Sequence, residues 1–296
     1  MDSASLILKA EIFKGKVMVL TGGTSKMLYQ PALDFMKLGG NVALISRKID
    51  KLEVVSEKMM KEANNNSKAK GFQIDLKKAK DSDCAVLIEN ILKEFGRIDV
   101  LVNGAAGNFL AEAEKISLNA FRTVIEIDTL GTFLMSKHVY IKWMKTHGGS
   151  IINISASLHH LGTLLNSHAS AAKAAVDAIT KTLALEWGPN GVRVNGVAPG
   201  IIEGTEGFER LIDLNSVNKS NDMNATKYDL NYFQKFVPLQ RYGTKHDISK
   251  LVLFFASDLS SYVTGQTILV DGGALAITPN WLVHFPEFMK SWTAKF

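Results

Sequence analysis

The side chain with most to explain is Lys173. It sits in S-A-A-K-A-A-V-D-A-I-T-K-T-L-A-L-E-W, which starts at Ser170 and is apolar on nearly every side if helical. Such a helix belongs against a sheet, and an ammonium buried there is costly unless an anion meets it. Asp177, four residues on, offers an ordinary ion pair. The other reading is chemical: a cation held inside to steer charge on a ligand. The preceding I-I-N-I-S-A-S, from Ile151 to Ser157, reads as a buried parallel strand ending in hydroxyls. His159 and His160 follow it. Without carboxylate or thiol companions in the sequence they read as loop polar residues or pocket lining, and no metal is expected.

The elements that must position these groups alternate along the chain. Lys16–Leu20, Asn41–Ser46, Lys70–Ile74, Ile98–Val102, the run from Ile151, Val192–Val197 and Thr267–Val270 read as seven strands. Between them the periodicity predicts helices to about Leu38, over Ile49–Ala63, Ala79–Phe95 and roughly Ser117–Thr146, then the Lys173 helix and Lys245–Ser257. Continuous apolar strands alternating with helices call for an α/β fold, a single-domain doubly wound parallel sheet with helices on both faces. Residues Ile212–Lys235 are rich in Asn, Asp, Ser and Lys without a period; the stretch is either a lid, over about 201–240, or a surface insertion.

A chain of 296 residues can bury a large core as one such domain, with 46% hydrophobic and 21% charged residues. No apolar run approaches the ~20 residues of a membrane span, and the flanked N-terminal patch does not read as a signal peptide. A single cysteine, Cys84, rules out an internal disulfide and fits a reducing compartment. The net charge of +5 comes from scattered basic residues. That suits solvated faces and small polyanionic ligands, and it argues against nucleic acid.

In an open parallel sheet the ligand crevice lies beyond the carboxyl ends of the strands. Thr21-Gly22-Gly23, Arg47, Asp75, Asn103–Asn108, Ser155 and Pro199-Gly200 fall there. The glycines either let backbone N–H groups approach a phosphate or simply make a turn. An acidic residue after the second strand would hold a ribose 2′-hydroxyl, whereas Arg47 suits a 2′-phosphate, hence NADP(H) over NAD(H); the alternative is a surface arginine.

T-G-G at Thr21, D-L at Asp75, N-G-A-A-G at Asn103, A-A-K-A-A, R-V-N-G-V-A-P-G at Arg193 and Y-V-T-G-Q-T-I-L-V-D-G-G at Tyr262 make the chain resemble the short-chain dehydrogenase/reductases over nearly its whole length. A-A-G-N-F-L at Ala105, the run from Leu118, H-A-S-A-A-K-A-A-V-D-A at His168 and P-G-I-I-E-G-T-E-G-F-E-R-L at Pro199 are similar to the peroxisomal 2,4-dienoyl-CoA reductases. The resemblance implies a Rossmann fold with NADP(H) contacts from Gly22, Gly23, Thr24, Ser25, Lys26, Met27, Arg47, Lys51, Asp75, Asn103, Lys173 and the run Pro199, Gly200, Ile201, Ile202, Glu203, Gly204 and Thr205. It implies an unsaturated acyl-CoA substrate touched by Arg47, Lys77, Phe109, Ser117, Leu118, Asn119 and Arg210. It further implies a homo-oligomer (dimer or tetramer) and no stable membrane insertion. The C-terminal Ala294-Lys295-Phe296 resembles a peroxisomal address except at its last residue; otherwise a cytoplasmic location is expected.

Departures from the family shape the functional reading. Tyr-x-x-x-Lys is replaced by Ala169 and Lys173, the usual serine falls on Ala156, and Asp128 stands where the family has asparagine. Quenching an alkoxide needs the missing phenol. A conjugated dienoyl thioester instead spreads charge into a dienolate, which an acid–base pair or ordered water can protonate on carbon. Lys173 and Asp128 are therefore the expected catalytic pair, Lys173 on the ribose and Asp128 positioning or relaying the proton; the alternative is an ion pair that merely neutralises both. The expected activity is NADPH-dependent 2,4-dienoyl-CoA reduction to 3-enoyl-CoA, auxiliary to β-oxidation of unsaturated fatty acids. The rivals are a 3-oxoacyl-type carbonyl reductase and a non-catalytic acyl-CoA or nucleotide scaffold. The scaffold is favoured by the glycine loop, where Lys26 and Leu28 replace two glycines.

Overall fold

A computed structural model describes residues 11–213, 234 and 237–276. Seven parallel strands form one sheet: β1 (Val17–Thr21), β2 (Asn41–Ser46), β3 (Ala69–Gln73), β4 (Val100–Asn103), β5 (Gly149–Ile154), β6 (Val192–Pro199) and β7 (Thr267–Val270). Their spatial order is β3-β2-β1-β4-β5-β6-β7, all neighbours parallel. The order reverses between β1 and β4, which is where a doubly wound sheet opens a crevice.

Both faces are covered, and the period-2 pleat explains why the strands read as unbroken apolar runs. Met18, Leu20, Val42, Leu44, Val100, Val102 and Ile152 turn to one face. They meet α1 (Tyr29–Lys37), α2 (Ile49–Ala63) and α7 (Lys245–Ala256). Val19, Ala43, Ile45, Leu101 and Ile151 turn to the other, under α3 (Asp81–Phe95), α4 and α5 (Ser167–Trp187). Here α4 is one long rod: α-helical Leu118–Val124, π-helical Ile125–Leu130, α-helical Gly131–Val139, π-helical Tyr140–Met144 and Lys145–His147. A further helix, α6 (Glu206–Asp213), follows β6.

Local chemistry sets the helix ends. α2 stops at Asn64 and α3 at Gly96, with φ of 52° and 75°, left-handed conformations that Asn and Gly tolerate. α7 starts at a capping box: Thr244 Oγ1 accepts from the Asp247 N–H, and the Asp247 carboxylate accepts from the Thr244 N–H. None of the described helices is long and apolar enough to cross a membrane. The lid expected over about 201–240 falls largely outside the described residues, as do the Arg210 side chain and the C-terminal tripeptide.

Candidate active site

A cavity of about 1200 Å³ opens beyond the carboxyl ends of the strands. Asp128 and Lys173 lie in its wall. Lys173 Nζ donates to the Ile154 carbonyl at 2.9 Å and meets Asp128 Oδ2 at 3.0 Å. Asp128 Oδ1 accepts the Gly107 N–H at 2.7 Å. Both carboxylate oxygens are therefore held, and the side chains are only 2% (Asp128) and 10% (Lys173) exposed. Asp128 stands in the first π-helical segment of α4, a distortion common at functional sites.

The sequence alternative for Lys173, pairing with Asp177, is not what the fold uses. Asp177 accepts from Thr267 Oγ1 at 3.1 Å and contacts His159 Nε2 at 2.7 Å. His159 and His160 stack on each other and do not line the cavity. With Asp177 they bring three potential metal-ligand atoms within 4.8 Å of one another. Asp177 already bonds through both oxygens, so the cluster reads as a post tying the loop after β5 to α5 and β7.

Ala169, one turn before Lys173, lines the cavity where a phenol would otherwise stand. Ser155 also lines it, its hydroxyl buried and without a partner. Asn103 behaves differently from the expectation for a ligand residue. Its side-chain N–H groups go inward to Ser136 Oγ and Asn153 Oδ1, both at 2.9 Å, and Asn153 in turn donates to Thr180. This polar thread braces β4 against β5, α4 and α5, and Asn103 does not line the cavity.

The expected cofactor residues divide by position. Gly22, Thr24, Ser25, Met27, Arg47, Asp75, Pro199, Gly200, Ile201, Ile202 and Thr205 line the cavity; Gly23, Lys26, Lys51, Glu203 and Gly204 do not. Gly22 has φ +74°, and a Cβ there would stand 2.7 Å from the Gly104 carbonyl oxygen, so that turn needs glycine. Gly23 packs backbone against β2: an added Cβ would lie 2.9 Å from Leu44 Cβ. Leu28, at a lost glycine position, is fully buried in the core. Gly104 makes room for it, since a Cβ on Gly104 would fall 2.0 Å from Leu28 Cδ1. Lys26 turns outward and pairs with Glu209 of α6, which raises the lysine's pKa. Arg47 is exposed at the rim, with no carboxylate paired to it among the described residues.

These residues fit a dinucleotide: a tight Gly22 turn without side chains, Arg47 at the rim with no carboxylate partner among the described residues, and the orphaned Ser155 hydroxyl next to the Ile154 carbonyl that holds Lys173.

Of the expected substrate residues, Phe109 and Arg47 line the cavity. Ser117 instead caps α4, accepting the Ala120 N–H at 3.2 Å, and Leu118 and Asn119 face outward. Helical period brings Ala120, Thr123, Val124 and Ile127 to the wall in their place. Lys77 is half-buried away from it. Arg241, missed in the sequence, lines the wall and pairs with Asp247 at 2.8 Å, holding that carboxyl well below its usual range.

Comparison with known proteins shows the family. The family profile described as "Enoyl-(Acyl carrier protein) reductase" matches residues 29–274. The chain is 41% identical over 295 residues to a peroxisomal 2,4-dienoyl-CoA reductase of Danio rerio, covering 100% of this chain and 93% of that one. It is 38% identical to the Arabidopsis thaliana protein of the same description, covering 94% of this chain and 90% of that one. Among solved structures, a citronellol catabolism dehydrogenase of Pseudomonas aeruginosa PAO1 superposes with a TM-score of 0.75 at 30% identity, covering 91% and 98% of the two chains. The seven-stranded parallel order, a profile match over most of the sequence and 41% identity along the whole chain to a curated relative agree: the chain belongs to the short-chain dehydrogenase/reductase family.

Proposed function

We propose that the chain is an NADPH-dependent 2,4-dienoyl-CoA reductase that makes 3-enoyl-CoA, as the names of its relatives suggest. The observation that carries this is a buried Lys173–Asp128 pair facing the cavity beside Ala169, with no phenol in the wall among the described residues. NADPH, when bound, supplies a hydride to the far carbon of the conjugated system. Arg47 at the rim suits the 2′-phosphate, and the Gly22–Met27 turn and Pro199–Thr205 suit the rest of the dinucleotide.

Lys173, held by the Ile154 carbonyl, presents positive charge to the ribose and to the anionic dienolate. Asp128 is fixed by Gly107 N–H and Lys173, so it can orient a water that delivers a proton to carbon. Phe109 borders the acyl chain, and Arg210 is assigned to a CoA phosphate. The same reading assigns a single domain with a lid around 201–240, a homo-oligomer and a peroxisomal site of action. It is tested by NADPH oxidation with 2,4-hexadienoyl-CoA and with a 3-oxoacyl-CoA. Turnover of the dienoyl substrate alone supports it; turnover of the 3-oxo substrate alone, or tight binding of both without turnover, rejects it.

A further inference from the structure

His168 is the second residue of α5, directly before Ala169. It is fully buried, and neither ring nitrogen has a hydrogen-bond partner among the described residues. Buried polar atoms are nearly always paired, so an unpaired imidazole needs a reason. Burial pushes its pKa down, opposed by the Phe109 backbone and by the Asp128 charge. What the ring does contact is Phe109: the two stack with centroids 4.1 Å apart and planes at 24°.

Phe109 belongs to the loop after β4 that also supplies the Gly107 N–H to Asp128. The same loop is tied to the start of α5 twice more, by Asn108 Nδ2 donating to Asn166 Oδ1 and by Ala111 N–H donating to the Leu165 carbonyl. α5 thus carries Lys173 and, one turn and a half earlier, the support of the loop that fixes Lys173's partner.

We propose that His168 is a positioning residue whose ring face, not its nitrogens, holds Phe109 against the acyl chain. An imidazole whose edge makes no bonds is used for its plane, and a benzene ring serves the same purpose. This rests on the assignment of Phe109 to the acyl-CoA given above.

The test compares His168→Ala, His168→Phe and Phe109→Ala, singly and as the double alanine variant. Measurements are the acyl-CoA KM and kcat, NADPH affinity by fluorescence, thermal midpoint, and calorimetric binding of saturated hexanoyl-CoA. His168→Ala is expected to weaken acyl-CoA by about 2- to 10-fold, the range of an aromatic pair, with NADPH affinity unchanged. His168→Phe should restore acyl-CoA binding. It should also raise the thermal midpoint by about 2–4 °C, because two unpaired buried nitrogens are gone. The double alanine variant should be no worse than Phe109→Ala alone.

Loss of binding in His168→Phe equal to that in His168→Ala, an unaffected His168→Ala, or additive losses in the double variant overturn the proposal. If His168→Ala does not fold, His168→Phe decides it by itself. Hexanoyl-CoA binding needs no turnover, so a silent dienoyl-CoA assay would reject the proposed reaction while leaving the His168–Phe109 contact still measurable.

Discussion

Replacing Asp128 by Asn separates what the buried pair does for the fold from what it does for the reaction. Asn keeps the shape and can still accept the Gly107 N–H, but it removes the charge that faces Lys173 Nζ at 3.0 Å. Lys173 keeps only the Ile154 carbonyl among its described partners. An uncompensated ammonium in a site 10% exposed costs about 3–5 kcal/mol, read as a lower urea midpoint. Loss of the proton-orienting carboxylate should lower kcat about 10²- to 10⁴-fold, read from NADPH absorbance with 2,4-hexadienoyl-CoA. Adding Lys173→Met gives two neutral side chains of similar volume, which should recover most of the stability and none of the turnover. A catalytic pair gives that split. If Asp128→Asn turns over within tenfold of the parent, or if the double variant regains activity along with stability, the pair is structural and the reasoning is refuted.

Three other perturbations probe separate parts of the account. Arg47→Asp should raise the KM for NADPH by about 10- to 100-fold, the value of a charge-assisted hydrogen bond to phosphate, and narrow the preference over NADH in steady-state kinetics. Gly104→Ala places a Cβ 2.0 Å from Leu28 Cδ1 and 3.0 Å from the Thr21 carbonyl oxygen. It should cost about 1–3 kcal/mol by urea denaturation, and combining it with Leu28→Ala should cost less than the sum of the two. Cys84 is fully buried with its thiol pushed up to about 11 by burial, so a disulfide reagent at pH 8 should leave it unmodified in the native protein and label one thiol after unfolding.

The sheet was legible because its central strands, β1, β2, β4, β5 and β6, are covered on both faces and so appear as largely apolar runs, whereas the edge strands β3 and β7 are partly exposed. The strands begin or end within a residue or two of where the pattern put them, since strand ends depend on neighbours that local sequence does not contain. The long helix from about Ser117 to Thr146 was visible as a period, but its π-helical turns at Ile125–Leu130 and Tyr140–Met144 were not, because they alter hydrogen-bond register without altering composition.

Within the site, types were readable and partners were not. Lys173 demanded an anion, and the nearest one in sequence, Asp177, is taken instead by His159 and Thr267. Gly107 N–H and the Ile154 carbonyl are backbone groups and leave no residue-type signal. Leu28 looked like damage to a glycine loop until Gly104, 76 positions later in the chain, proved to hold the space for it. Lys26, which the resemblance implied as a cofactor contact, pairs with Glu209, a partner 183 residues away that local sequence could not indicate. Ser117, Leu118 and Asn119 start a helix, so the residues one turn later reach the cavity instead.

The central claim is that a carboxylate and an ammonium without a phenol protonate carbon, not an alkoxide. The direct measurement is the product of 2,4-hexadienoyl-CoA reduced with NADPH in D₂O, read by NMR. The expected product carries one solvent deuterium on the carbon next to the thioester and a double bond between the third and fourth carbons. Solvent deuterium at any other carbon, or a 3-hydroxyacyl product formed from 3-oxoacyl-CoA under the same conditions while the dienoyl substrate is untouched, would contradict it.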